Sequence, residues 1–215
     1  MQKNLVELVF IIDKSGSMSG LEKDTVGGFN SLIEKQKQEG EAIVSTVLFS
    51  DQRNVVHNRI DIKEVPVMTL KDYCPSGCTA LLDAVGHSIN YIANVHKQLE
   101  EDEKPSKTIF IITTDGMENS SREFSYKKIK QMIDLEKEKY GWEFIFLGAN
   151  MEAMEEAARI GIDAENACEY NCDSVGTSII YESLNIAINE TRKCKKMSTT
   201  WRQNIDKDKK NRRKN

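Results

Sequence analysis

The sequence has no apolar run long enough to cross a membrane. Its N-terminal apolar segment, Leu5–Ile12, contains Glu7 and ends directly at Asp13, whereas a membrane-spanning helix needs about 20 consecutive apolar residues. We interpret this segment as a buried strand and not as a signal peptide. The chain is therefore expected to be cytoplasmic and to have no membrane partner.

Cysteine is scarce, and its number is odd. Five cysteines in a chain without a signal peptide are typical of the reducing cytoplasm, so we expect no structural disulfides. Cys74 and Cys78 lie just before Thr79, and their spacing leaves open a redox-sensitive loop. A single pair of cysteines without a second pair beside it is weak evidence. Cys168 and Cys172 have the same spacing, but they are expected near a different edge of the fold.

The sequence also lacks the residue patterns of zinc sites and of serine hydrolases. His57 and His87 have no acidic or cysteine partner at ligand spacing. His96 falls on an apolar helical face, where a hydrogen-bonded core residue is expected. No nucleophile elbow is present for a serine hydrolase. The sequence therefore predicts neither a zinc site nor a serine hydrolase.

Acidic and basic residues are nearly balanced in number but unevenly distributed. Residues 192–215 contain eleven Lys or Arg against two Asp, a charge of +9, whereas residues 1–191 carry −13. We predict a domain over 1–193 and a disordered basic tail over 194–215, which has too few apolar residues to offset the entropy of ordering. The tail contains one aromatic residue, Trp201, and no known nucleic-acid-binding fold. A solvated tail is therefore favoured over nucleic-acid binding, and a tail folded back onto the acidic body is an alternative.

Four apolar runs rich in Val, Ile and Phe predict strands that are buried on both faces, as in a parallel sheet. They are Leu5–Ile12, Ala42–Phe49, Thr108–Thr113 and Trp142–Leu147. Segments with helical spacing alternate with them, most clearly after Thr79, where apolar residues recur every three or four positions. This alternation predicts an α/β fold with helices on both faces of the sheet.

Two weaker segments complete a predicted sheet of six strands. Val55–Ile62 is more polar and follows the second run after a short turn, which indicates an antiparallel edge strand. Asn166–Tyr170 predicts a last strand, and a final helix should begin at Ser174 and reach about Lys193. We therefore predict a doubly wound, Rossmann-like, mostly parallel sheet with strand order 3-2-1-4-5-6 and antiparallel strand 3 at its edge.

Acidic residues follow two strands that should be neighbours in this sheet. Asp13 comes directly after the first strand, and Asp115 follows the central apolar run. In a doubly wound sheet, the ligand crevice lies outside the carboxyl ends of the strands, where neighbouring strands send their connections to opposite faces. Strands one and four are such neighbours, so Asp13 and Asp115 should converge on one crevice.

Three hydroxyl side chains accompany these carboxylates. Ser15 and Ser17 flank Gly16, which lets the backbone turn sharply and aim both hydroxyls the same way, and Thr79 adds a third hydroxyl from a later connection. Such a set of hard oxygen donors suits Mg²⁺, Mn²⁺ or Ca²⁺ better than zinc or copper. We expect Mg²⁺, because it commonly keeps several waters and needs few carboxylates.

These residues together resemble the complete metal-ion-dependent adhesion site of the von Willebrand factor A family. The matching positions are Asp13-x-Ser15-x-Ser17, Thr79 within Gly77–Leu81, and Asp115 within Thr114–Gly116. The likeness covers about residues 5–193, and the stretch Gly141–Asn150 is similar to small stand-alone bacterial or phage members. The resemblance implies that the three hydroxyls ligate directly and that the two aspartates do so directly or through water.

The resemblance implies a protein-binding module and not an enzyme, with an exposed Asp or Glu of a protein partner completing the metal shell. One alternative is that Asp13 and the serines merely cap the following helix. Another is a Mg²⁺-dependent phosphatase of the haloacid dehalogenase type with Asp13 as nucleophile. Such enzymes need a second acid two residues later, and Ser15 stands there.

Overall fold

The structure is a computed structural model that describes residues 2–193 and 198–212. Its strands are β1 (Gln2–Asp13), β2 (Ala42–Phe49), β3 (Arg53–Asp61), β4 (Pro105–Thr114), β5 (Glu143–Gly148) and β6 (Ala167–Glu169). Its helices are α1 (Glu22–Lys37), α2 (Leu81–Gln98), α3 (Tyr126–Tyr140), α4 (Met151–Arg159), α5 (Ser174–Lys193) and α6 (Gln203–Arg212).

The six strands form one sheet in the order β3-β2-β1-β4-β5-β6. Only β3 runs antiparallel to its neighbour, and the other pairs are parallel. The predicted fold class, strand order and antiparallel edge strand are therefore confirmed. Strand β1 lies between β2 and β4, with Ile12 beside both Leu48 and Thr113, so the carboxyl end of β1 opens at the middle of the sheet.

Apolar cores lie on both faces of the sheet. Along β1, Leu8, Phe10 and Ile12 belong to the core that includes α1 and α5. The intervening residues Val9 and Ile11 belong to the core of α2, α3 and α4. Successive side chains of a strand point to opposite faces, so a strand covered on both sides must be apolar at nearly every position.

A buried ionic cluster interrupts the apolar sequence of β1. The Glu7 side chain is fully buried, and its two carboxylate oxygens lie 2.6 Å from Nε of Arg59 and 2.6 Å from Nε2 of His96. Arg59 has a φ of 50° at an irregularity in the pairing of β3 with β2. The ring of His96 also packs edge-on against Trp142, which agrees with the core position expected for this histidine.

His57 lies on β3 and is buried, with a polar contact at each ring nitrogen. Its Nε2 donates to the carbonyl of Pro66 at 3.1 Å, its Nδ1 lies 2.9 Å from the hydroxyl of Thr46, and its ring stacks on Phe29. Burial lowers the pKa of His57 below its ordinary value of 6.5, and the Pro66 carbonyl and Asp72 offset part of that shift.

We expect the free energy of unfolding to fall in acid because the unfolded chain takes up a proton at His57 before the folded chain does. The loss should begin below pH 6.5 and reach up to about 1.4 kcal/mol per pH unit. Urea unfolding of the wild type and of His57→Gln between pH 7 and pH 5 tests this. The variant should lose less stability over this range, and identical slopes would contradict the assignment.

The C-terminal segment differs from the prediction of disorder. Trp201, in a short 3₁₀ turn at Thr200–Arg202, is fully buried, and Ile205 on α6 is 2% exposed. Both pack into the core beside α5. The expected tail is therefore partly folded, because its few apolar residues lie four positions apart and dock as one face. Residues 194–197, where the predicted domain boundary falls, and 213–215 lie outside the described residues.

Polar contacts of α6 complete this docking. Lys209 pairs with Glu169 on β6, and Arg212 pairs with Asp173 just before α5. Asp208 accepts from the side chain of Asn171 at 2.8 Å. Helix α6 thus lies against acidic residues of the body. This agrees with the alternative prediction, in which the basic tail folds back onto the acidic body.

The four cysteines within the described part of the chain are free thiols, as the sequence predicts. Cys74 and Cys78 are exposed, and nothing in the described part of the chain tests the redox-sensitive loop that their spacing leaves open. Among residues 2–193 and 198–212, no helix is both long and apolar enough to span a membrane.

Candidate metal centre

Asp13 stands at the end of β1 and is fully buried. Its Oδ1 accepts from the backbone N–H of Ser15 at 2.7 Å, and its Oδ2 accepts from the hydroxyl of Thr114 at 2.6 Å. Burial raises the pKa of Asp13, and the hydrogen bonds from Thr114 and Ser15 offset part of that rise. A cation beside this carboxylate would favour its charged form.

The two serines after β1 link this strand to the end of β4. Ser15 is extended, with φ −63° and ψ 168°, and the 3₁₀ turn Gly16–Met18 follows it. The Oγ atoms of Ser15 and Ser17 lie 3.2 Å apart, and Ser17 donates to Oδ1 of Asp115 at 2.7 Å. The first serine loop and the second aspartate therefore meet across the crevice, 98 positions apart in the chain.

Thr79 completes the predicted set from the loop before α2. It is buried, and a methyl group placed on Gly116 would lie 3.5 Å from its Oγ1. Its backbone N–H donates to Oδ1 of Asn119 at 2.9 Å, and its carbonyl accepts from the N–H of Asn119 at 3.0 Å. These contacts hold the Thr79 hydroxyl beside the loop that carries Asp115, so the structure brings all five predicted residues together.

Backbone contacts fix the three loops relative to one another. Gly16 N–H donates to the carbonyl of Gly77 at 3.1 Å, and Ser76 N–H donates to that of Lys14 at 2.8 Å. The Tyr73 hydroxyl donates to the backbone carbonyl of Asp13 at 2.6 Å. The backbone segments that carry Asp13, Ser15 and Thr79 are therefore held beside one another.

Sequence reasoning missed three residues that support the centre. They are Tyr73, Asn119 and Asn150, whose side-chain N–H donates to the carbonyl of Asp115 at 2.8 Å. Asn150 also accepts from the N–H of Ala153 and so caps α4. An asparagine between a strand and a helix is a recognisable N-cap signal, whereas no local pattern marks the other two.

The donors of this centre are two carboxylates and three hydroxyls. No group of three or more His, Cys, Asp or Glu that could hold a metal occurs among the residues with described placement. A donor set made of hard oxygens fits Mg²⁺, Mn²⁺ or Ca²⁺, and it offers few negative charges to neutralise a divalent ion. The residues present therefore fit a hard divalent cation.

Comparison with known proteins gives no match at the level of sequence. No model of a known protein family matches the chain, and no curated protein matches it. Solved structures do resemble it in backbone geometry, at low sequence identity.

Three of these structures share most of the fold. The minor pilin PilB from Streptococcus sanguinis matches with a TM-score of 0.63 and 12% identity, over 86% of this chain and 61% of the pilin. The vWF domain of the pilus tip protein Mfa5 from Porphyromonas gingivalis matches with a TM-score of 0.62 and 10% identity, over 85% of this chain and 96% of that domain. Proximal thread matrix protein 1 from the mussel byssus, with a zinc-occupied MIDAS motif, matches with a TM-score of 0.59 and 17% identity, over 86% of this chain and 46% of that protein.

These likenesses show the fold, which is that of a von Willebrand factor A domain. The chain spans about three fifths of the pilin and less than half of the mussel protein. At identities of 10–17%, the likeness extends to architecture, and the function has to be argued from the centre itself.

Proposed function

We propose that the chain is a protein-binding module that uses one divalent cation to bind an acidic residue of a partner. The cation, Mg²⁺ in this proposal, would be held by Asp13, Ser15, Ser17, Thr79 and Asp115. The observation that supports this proposal most strongly is the hydrogen bond between Ser17 and Asp115, which joins the two halves of the donor set. A bound cation would take the place of this hydrogen bond between Ser17 and Asp115.

Charge accounts for the expected preference of the centre for an acidic ligand. Three of the five donors are neutral hydroxyls, so the two carboxylates at most balance the ion before the partner binds. Asp115 can also act through water, which leaves the ion still more positive. An incoming carboxylate then gains strong attraction, whereas a Lys or an apolar side chain gains none.

A phosphatase with Asp13 as nucleophile is less consistent with the geometry. Ser15 stands two residues after Asp13, where such enzymes carry their second acid, and Asp13 itself accepts from the Thr114 hydroxyl. A nucleophile needs an oxygen that can reach the substrate and an acid or base beside it. We therefore favour binding over catalysis.

Nucleic-acid binding through the C-terminal segment is also less consistent with the contacts. Lys209 and Arg212 pair with acidic residues of the body, so their charges are partly neutralised. Phosphate binding would have to break these pairs, and it would depend steeply on salt.

We expect partner binding to require the cation. In a pull-down from an extract of the source cells, proteins retained in Mg²⁺ should be released by EDTA and recovered when Mg²⁺ is restored. A matched column carrying Asp115→Ala should not retain them in either buffer. Replacing the contacting Asp or Glu of a retained partner by Asn or Gln should abolish its binding. A partner that stays bound in EDTA would contradict the proposal.

A further inference from the structure

The segment between β4 and α3 contacts the start of α2. We name residues 115–125 the β4–α3 loop; it begins with Asp115 and ends at Ser125, the N-cap of α3. Thr79 lies two positions before Leu81, where α2 begins. Two of the five proposed metal ligands therefore lie at the beginnings of two segments that contact each other, so these contacts help to set the distance between the two ligands.

Glu118 is the side chain that joins the β4–α3 loop to α2. Its Oε2 accepts from the backbone N–H of Leu82 at 2.9 Å. The same oxygen accepts from the hydroxyl of Ser121 at 2.7 Å. Its Oε1 accepts from the backbone N–H groups of Ser120 and Ser121 at 2.8 and 2.7 Å. The first N–H groups of a helix have no partner within the helix, so one carboxylate satisfies the start of α2 and also closes a turn of the loop.

Asn119 extends this junction to Thr79. The backbone N–H of Thr79 donates to Oδ1 of Asn119 at 2.9 Å, and the backbone N–H of Asn119 donates to the carbonyl of Thr79 at 3.0 Å. On another side of the loop, Asn150 holds the carbonyl of Asp115. The contact with α2 therefore depends on Glu118 and Asn119, which are adjacent in the chain.

A second carboxylate, Asp83 on α2, anchors the far half of the same loop. It accepts from the backbone N–H groups of residues 122–124 at distances of 2.8–3.0 Å. Asp83 and Glu118 are both half-buried, and each binds three backbone N–H groups. The contacts of Asp83 lie seven to nine positions after Asp115, whereas Glu118 lies three positions after it. Asp83 is therefore a matched comparison for Glu118.

We propose that Glu118 is a positioning residue of the metal centre, which makes Thr79 and Asp115 one unit by fastening the β4–α3 loop to α2. This role rests on the proposed function, since Glu118 would hold two ligands of the cation. The carboxylate is required because it only accepts hydrogen bonds, and donors reach both of its oxygens. The amide of Gln would turn N–H donors toward one pair of these donors and release that side of the junction.

Isothermal titration of the full chain with MgCl₂ tests this role. Glu118→Gln should weaken Mg²⁺ binding by about tenfold or more, the loss expected for a group that holds a ligand in place. Asp83→Asn should also lower the thermal midpoint, because it loosens the same loop, but it should leave the Mg²⁺ affinity unchanged. An equal loss of affinity in both variants would overturn the proposal, because the effect would then belong to the order of the whole loop.

Hydrogen exchange in EDTA probes the same junction without any metal. Glu118→Gln should speed exchange at the amides of Thr79, Leu82 and Ser121, with exchange in β1 unchanged. Wild-type protection at these amides would contradict the junction. The variant should keep a cooperative thermal transition, since Glu118 is only half-buried.

The proposed function and the role of Glu118 fail on different results. A wild-type chain that bound no Mg²⁺ would defeat both. A wild-type chain that binds Mg²⁺, with Glu118→Gln binding it equally well, would defeat only the role of Glu118.

Discussion

Replacing Trp201 by alanine should lower the free energy of unfolding by about 3–5 kcal/mol, the usual cost of emptying a large aromatic site in a core. Trp201 is fully buried with Ile205 in the core beside α5. In a domain of this size, the thermal midpoint should fall by roughly 10 °C. Thermal unfolding followed by circular dichroism measures the change directly.

The control for this substitution lies on the helix that follows Trp201. Lys207 is exposed on α6, and Lys207→Ala should change stability by less than about 0.5 kcal/mol. A deletion that begins at residue 198 should destabilise at least as much as Trp201→Ala. If neither Trp201→Ala nor the deletion lowered the thermal midpoint, the C-terminal helix would not dock in solution.

Replacing Asp115 by alanine should weaken Mg²⁺ binding by more than about 100-fold, because losing even a group that only supports a ligand commonly costs about 10–100-fold. The substitution removes one of the two charges in the centre and the acceptor for Ser17. Isothermal titration with MgCl₂ measures the loss. The sheet should remain folded, since Asp115 is only partly buried and lies beyond the end of β4.

The first aspartate calls for a different substitution. Asp13 is fully buried and accepts hydrogen bonds from Ser15 and Thr114, so Asp13→Asn keeps the size of the side chain while removing its charge. This variant should also lose Mg²⁺ binding. Asp134→Ala removes a carboxylate from α3, where it pairs with Lys130, and should bind normally. Wild-type affinity for Mg²⁺ in both Asp115→Ala and Asp13→Asn would contradict the assignment of the metal centre to these residues.

The architecture could be predicted because its main signals are local. The segment Leu5–Ile12 is apolar at nearly every position, and an apolar run this short is typical of a strand covered on both faces. The short turn at Ser50–Asn54 was also a local signal, because it indicated a hairpin between β2 and the edge strand β3. From the parallel order, Asp13 and Asp115 had to meet at neighbouring strand ends, and the structure brings them together through Ser17.

The features that sequence reasoning missed depend on contacts between distant positions. Tyr73 reaches the carbonyl of Asp13 across 60 positions, and Asn119 binds Thr79 across 40. Neither residue belongs to a local pattern. The prediction of a disordered tail was wrong for Trp201 and α6 because composition describes a segment alone. The stabilising partners of this segment lie on β6 and α5.

The position of Arg202 has a consequence for association between copies of the chain. Strand β6 has three residues and ends the sheet, and Arg202 donates to the carbonyls of Ala164 at 2.7 Å and Ala167 at 2.9 Å. An uncovered strand edge can pair with a strand of another molecule. Chains cut before Thr200 would expose this edge together with the apolar surface under Trp201, so proteolysis of the C-terminal helix should yield a product that self-associates as its concentration rises.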